Sequence, residues 1–318
     1  MKKEMKYFLL ILITILFISC GRKVTSEEAE EKIAQHMYER YGEEFEVGYA
    51  MIDGYTKGDR DVTWYEARVT PIRYIGTPKY TDSYYRAVGT VMVKKKMFRE
   101  EFGITRDTYS NVMLKESANE FYGKKLKELF GENYLSVLEV TGSYSDKSKN
   151  FEGSVKLTKE KGDRLYISGG IYIFGRVEND EDREWYRKQI YEFIQFMKET
   201  GTFEYVDLDI IIVDERALIP NPKKLLENFP KNLSESDRRK KRREMMKVGD
   251  KEFASMTQKE ILDKINSINK ADYRNQFFGG LLYVKVYSPK YIKAQKLGNR
   301  EEKEYDTVNN IKFDWETW

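Results

Sequence analysis

The sequence predicts an α+β fold, with helices packed on mainly antiparallel sheets. Three observations carry the prediction. Apolar residues recur at helical spacing in several segments. Alternating apolar–polar runs are separated by short turn segments, which suit antiparallel hairpins. Glycine stands where the main helical patterns stop, ready for the left-handed conformation that closes a last turn. At 318 residues the chain can hold two ordinary domains. Hydrophobic residues make up 40% and charged residues 34%, a polar composition that still carries clear apolar periodicity, so the chain reads as folded.

The first unit is expected over residues 26–110. Ser26 can cap a helix, and Glu27 and Glu28 suit the positive end of its dipole. Ala29, Ile33, His36/Met37 and Tyr41 fall on one helical face, and Gly42 stops the pattern. Strands follow at 45–49, 63–72 and 84–93. The second unit, 111–180, runs the same course. Val112, Leu114, Ala118, Phe121, Tyr122, Leu126 and Leu129 mark a helix, and Gly131 stops it. Strands are read at 134–140, 151–157 and 165–177. Glu39-Arg40-Tyr41-Gly42-Glu43-Glu44-Phe45 overlays Glu128-Leu129-Phe130-Gly131-Glu132-Asn133-Tyr134. Two tandem α-β-β-β units would give this match, and so would common capping chemistry. An α/β region is expected over 181–292: a helix at 182–200, a strand at 203–213, a break at Pro220 and Pro222, helices at 234–247 and 257–268, and a strand at 277–287. Residues 293–318 read as a polar, mobile tail, apart from Phe313, Trp315 and Trp318.

The N-terminus locates the protein. Met1-Lys2-Lys3-Glu4-Met5-Lys6 is a short basic start, residues 7–18 are almost wholly apolar, and Ser19-Cys20-Gly21 follows. This is the layout of a secretory signal over 1–19, too short to span a bilayer. It resembles the lipobox of bacterial lipoproteins, with Phe17 standing where leucine is usual. The resemblance implies cleavage before Cys20, a diacylglyceryl thioether on that residue, usually N-acylation such as palmitate, and a tether over 20–25. It places the mature chain on the outer face of the plasma membrane or on an outer membrane; Gly21 in place of aspartate leaves export open. Two acyl chains hold stably where one holds marginally. Tyr38-Glu39-Arg40-Tyr41-Gly42-Glu43-Glu44-Phe45 is similar to segments of uncharacterised lipoproteins of low-GC bacteria. That likeness implies no substrate.

Residue usage narrows the chemistry. With Cys20 lipidated, no thiol remains for disulfides, clusters or nucleophilic catalysis. A lone histidine, His36, is poor material for zinc or a Ser-His-Asp site. No phosphate loop occurs. No cofactor is expected. The net charge is +3, and the leader holds Lys2, Lys3 and Lys6 against Glu4, so the mature chain has no global pull on nucleic acid. Arg238, Arg239, Lys240, Lys241, Arg242 and Arg243, with Lys247 beyond, form a possible anion contact for lipid head groups or an anionic envelope polymer; a solvated helix surface is the plainer reading. Tyr74, Tyr80, Tyr84 and Tyr85 surround Gly76-Thr77-Pro78 and suit a recognition surface or a strand-flanking loop. Asp207 and Asp209 share one strand face, about 6–7 Å apart, as paired carboxylates or as an exposed strand end. Glu43 and Glu132 read as solvated turn residues. Gly169-Gly170 inside a strand points to a bulge or a close backbone approach. Together these features favour a lipid-anchored binding or interaction module whose partners are the membrane and an envelope protein or anionic polymer. An envelope hydrolase using carboxylates and a solute-binding component of a transporter are the alternatives.

Overall fold

A computed structural model describes residues 23–58, 60–96, 99–142, 150–162, 164–225, 232–272, 279–298 and 300–318. The chain is α+β and divides after residue 112 into two units.

In the first unit, helix α1 (Ser26–Tyr41) is capped by Thr25, one residue before the expected cap. Its hydroxyl accepts from the Glu28 N–H, and the Glu28 carboxylate accepts from the Thr25 N–H. Gly42 (φ 70°) closes the helix and donates to the Tyr38 carbonyl at 2.8 Å. The strands are β1 (Phe45–Val47), β2 (Met51–Lys57), β3 (Arg60–Pro71), β4 (Ala87–Lys96) and β5 (Arg99–Asp107), with the short helix α2 (Pro78–Thr81) between β3 and β4. All pairings are antiparallel, in the order β1-β3-β4-β5, with β2 on β3 beside β1. Ala29, Ile33 and Met37 are the buried face of α1, and Ala67, Val69, Ala87 and Val91 are buried on the sheet. Gly89 makes room: a Cβ there would lie 2.4 Å from Ile33 Cγ2.

Helix α3 (Tyr109–Phe130) carries the chain into the second unit. There follow β6 (Tyr134–Gly142), α4 (Phe151–Lys161), β7 (Leu165–Gly175), α5 (Asp180–Glu199), β8 (Val206–Asp214), α6 (Glu235–Ala254), α7 (Gln258–Asn266), β9 (Gly280–Tyr287), α8 (Pro289–Ala294) and β10 (Trp315–Glu316). The sheet order is β10-β9-β8-β7-β6, antiparallel except for β7 and β8. That parallel pair is joined through α5, as a same-sense connection requires. Tyr122, Phe151, Phe193, Ile194 and Met197 pack from the helices onto Leu138, Ile167, Ile171, Leu208, Ile210, Leu282 and Val284.

Three expectations are corrected. Residues 151–157 are not a strand but the first part of α4. Phe151, Val155 and Leu157 fit alternation and helical spacing alike over so short a window. The ends decide: Asn150 accepts from the Gly153 N–H at 2.8 Å, and Gly162 (φ 71°) closes the last turn. So residues 111–180 run α-β-α-β and do not repeat the first unit. Its likeness to that unit is the helix end alone: Gly131 (φ 77°) donates to the Lys127 carbonyl at 3.0 Å, as Gly42 does to Tyr38. Second, the segments 111–180, 181–292 and 293–318 are not separate. From residue 113 they form one unit, because β7 pairs with β8 and β10 with β9. Third, the tail is held. Ile311 and Tyr305 are buried, and Gln195 and Lys198 of α5 donate to the Tyr305 carbonyl at 2.9 and 3.0 Å.

Candidate functional site

Cys20 lies outside the described residues, as does the whole 1–19 leader. Among the described residues no helix is long and apolar enough to cross a membrane.

The basic run lies on α6 and is divided by it. Successive residues turn by about 100°, so six in a row cannot share a face. Arg238, Lys240, Lys241 and Arg243 are exposed; the Arg239 side chain is outside the described set. Lys241 pairs with Glu244 at 3.5 Å. Arg242 points inward: a Cβ on Gly279 would lie 3.4 Å from its guanidinium, and it donates to Thr317 Oγ1 at 3.5 Å. Burial pulls this guanidinium below its ordinary value, against the field of Asp214. Of the six residues read as a possible anion contact, Arg238, Lys240, Lys241 and Arg243 are exposed and Arg242 is turned inward.

Arg242 belongs to a cluster that sequence inspection missed. The carboxyl ends of parallel strands are where open α/β sheets bind ligands. Here the ends of β7 and β8 are filled by ion pairs. Arg216 donates to both Asp214 oxygens at 2.8 and 2.7 Å, and to Asp250 of α6 at 3.2 Å. Arg176 pairs with Asp250 at 3.0 Å and with Glu215. Burial opposes charge on Arg216, but hydrogen bonding to Asp214 and its field prevail and raise the guanidinium. The network clamps α6 to the sheet.

Asp207 and Asp209 share a face, as expected, but are not an exposed strand end: Asp207 is buried. Lys285 Nζ reaches both, at 3.2 and 2.8 Å. Arg300 donates to Asp207 at 2.9 Å and the Tyr283 hydroxyl to Asp209 at 2.8 Å. Burial, then the hydrogen bond to Asp209, push the Tyr283 phenol up. Lys285 lies on β9 of the same sheet, and Arg300 ties the C-terminal segment to Asp207.

His36 is partly packed: its Nε2 lies 2.9 Å from Asp107 Oδ2, and among the described residues no hydroxyl is bonded to its ring. Tyr74, Tyr84 and Tyr85 turn inward and meet edge to face, at 5.9 and 4.9 Å between centroids. Glu43 is engaged by Arg73 at 3.2 Å and by the Tyr109 hydroxyl at 3.0 Å. An open cavity of about 490 Å³ lies over Phe121, Phe151 and Val155, rimmed by Lys156, Lys159 and Thr200. Lys159 donates to the Thr200 carbonyl at 3.0 Å and so caps the end of α5. Among the described residues no group of three or more His, Cys, Asp or Glu is arranged to hold a metal.

The surface least explained by packing is in the first unit. Among the described residues eleven large apolar or aromatic side chains are exposed, and eight are in this smaller unit: Tyr38, Tyr49, Met51, Ile52, Tyr55, Ile72, Ile75 and Ile104. Four of the eight cluster at β2, where Tyr55 meets Trp64 of β3 at 5.9 Å between centroids. Strand β2 is exposed along its whole length and pairs with β3 on one side only among the described residues.

No protein-family model matches the chain, and no curated protein does. A search of solved structures finds the crystal structure of a DUF5037 family protein from Ruminococcus gnavus ATCC 29149, at a TM-score of 0.36 and 14% identity, covering 85% of this chain and 99% of that one.

Proposed function

We propose that the chain is a lipid-anchored binding protein of the bacterial envelope, tethered through Cys20 and holding an extended polypeptide segment on β2. The lipobox-like N-terminus supports the anchor. The binding role rests on one observation, the exposed edge strand Met51–Lys57 with Met51, Ile52 and Tyr55 uncovered. An edge strand offers unpaired backbone groups that an added strand can satisfy, and alternate side chains set its choice of partner. Met51, Asp53 and Tyr55 project on one face and Ile52 on the other. Paired-carboxylate hydrolysis finds less support, since Asp207 and Asp209 are bound to Lys285 and Arg300. A transporter's solute-binding component would be rich in parallel βα units, and the first unit's sheet is antiparallel throughout.

Photo-cross-linking residues placed at Ile52 or Tyr55 in cells are expected to give a discrete, protease-sensitive adduct, and one at exposed Trp185 none. Silence at both β2 positions, or equal labelling at Trp185, sinks the reading.

A further inference from the structure

The exit of the tether fixes which end of the first unit meets the lipid. Val24 is docked rather than loose: its N–H donates to Glu100 Oε2 at 3.3 Å, and its carbonyl accepts from the Tyr65 hydroxyl at 2.9 Å. Glu100 is one residue into β5 and pairs across the ladder with Lys95, near the far end of β4. Cys20 is four residues before Val24, so a fully extended tether spans about 14 Å at most. The chain thus leaves the fold at the tips of two neighbouring hairpins.

Those tips are basic. Lys57 ends β2; Lys94, Lys95 and Lys96 end β4; Arg99 opens β5. The pairing of Thr63 with Val93 sets the two hairpins side by side. All five side chains are exposed. Asp61, Glu100 and Glu101 are the described carboxylates of the hairpin tips, and Glu27 and Glu28 in the first turn of α1 also face this end, near Tyr65. Lys95 is 3.8 Å from Asp61, and Lys96 and Arg99 meet Glu101 at 2.6 and 2.5 Å. Such exposed pairs are weak and exchange readily. Lys57 and Lys94 have no ion pair among the described residues. A tether this short holds the tips within roughly one or two Debye lengths of the bilayer. The cations of α6, by contrast, have no observed relation to the tether.

We infer that the hairpin-tip cations Lys57, Lys94, Lys95, Lys96 and Arg99 form a membrane-facing surface that docks the first unit on anionic phospholipid head groups; this rests on the lipid anchor at Cys20. The surface adds a charge-dependent contact to the acyl chains and orients the unit, with α1 rising away from the bilayer from its N-terminus.

The test uses the chain from Gly21 on, which keeps every described residue and leaves charge alone to be read. It is expected to bind vesicles of phosphatidylcholine with phosphatidylglycerol, to bind phosphatidylcholine vesicles weakly, and to lose the difference in high salt. Lys94→Glu, Lys95→Glu and Lys96→Glu together should weaken binding about tenfold or more. Glutamine at the same three positions, which keeps the strand and removes the charge, should give an intermediate loss. Reversing Lys240, Lys241 and Arg243 should leave binding within about twofold of wild type. Equal binding to both vesicles, or a tip variant that binds as wild type does, overturns the inference. The mass of the native N-terminus reads the anchor separately. A lipidated N-terminus without charge-dependent binding defeats the tip alone; an unlipidated one defeats the anchor and, with it, the orientation.

Discussion

Replacing Gly169 with alanine is expected to disrupt the second unit. Gly169 sits in β7, between β6 and β8, at φ 124°, a region only glycine occupies comfortably. A Cβ there would lie 2.1 Å from the Val137 carbonyl oxygen and 3.1 Å from Leu138 Cα. Both are backbone atoms of the paired strand, so neither can swing aside. Conformational strain alone costs about 1–3 kcal/mol. Relief of the clash requires opening the β6–β7 ladder, which takes the total beyond about 4 kcal/mol, the range of exceptional single mutants. Gly162→Ala is the control: its φ is 71°, but no atom lies within 4 Å of the added carbon, so it should cost only about 1–2 kcal/mol. Amide exchange across β6 and β7 reads the difference. Similar exchange in the two variants would show that the close approach is not what holds the ladder.

Asp107→Asn should destabilise the first unit by about 3 kcal/mol, the lower end for breaking a buried pair, since Arg40 and His36 remain partly exposed. The Asp107 side chain is wholly buried. Oδ2 accepts from Arg40 at 2.7 Å and faces His36 at 2.9 Å; Oδ1 accepts from the Tyr41 hydroxyl at 2.5 Å and the Tyr109 N–H at 3.0 Å. One carboxylate thus ties the end of α1 to β5 and to the start of α3. Burial works against its charge, but hydrogen bonds from Tyr41 and His36 and the charge of Arg40 outweigh burial, and the carboxyl lies below its ordinary value. The sign follows. The native state binds this proton less readily than the unfolded chain does. The contribution is therefore complete above the unfolded value of about 3.9, and is lost as pH falls through the lower native value. Urea midpoints measured across that acid range should fall for wild type and change less for the variant. A variant with an unaltered midpoint at neutral pH would mean that the buried carboxylate contributes nothing.

The helices α1, α3 and α5 were legible because burial of one face imposes helical spacing, and because Gly42, Gly131 and Gly201 mark their ends in the left-handed region. Strands β2 and β5 went unread for the opposite reason. β2 is exposed on both faces and β5 is an edge strand with no buried apolar residue, so neither sets up an apolar alternation. The docked tail was equally silent: Tyr305 and Ile311 fill sites singly within a charged stretch and set up no period. The carboxylate pair Asp207 and Asp209 could be seen on one face, but their cations come from 76 and 93 residues away. His36 finds Asp107 at a separation of 71. A run of six basic residues likewise gives no sign that Arg242 turns inward, because Gly279, which it lies beside, is distant in sequence. The exposed apolar residues of β2 were visible as residues, yet only the sheet reveals that nothing covers them.

The most direct test of the account is mass spectrometry of the N-terminal peptide of the protein taken from its own membranes. The account predicts a peptide that starts at Cys20 and carries a diacylglyceryl group. An intact leader, or a free thiol on Cys20 in a soluble fraction, would contradict it.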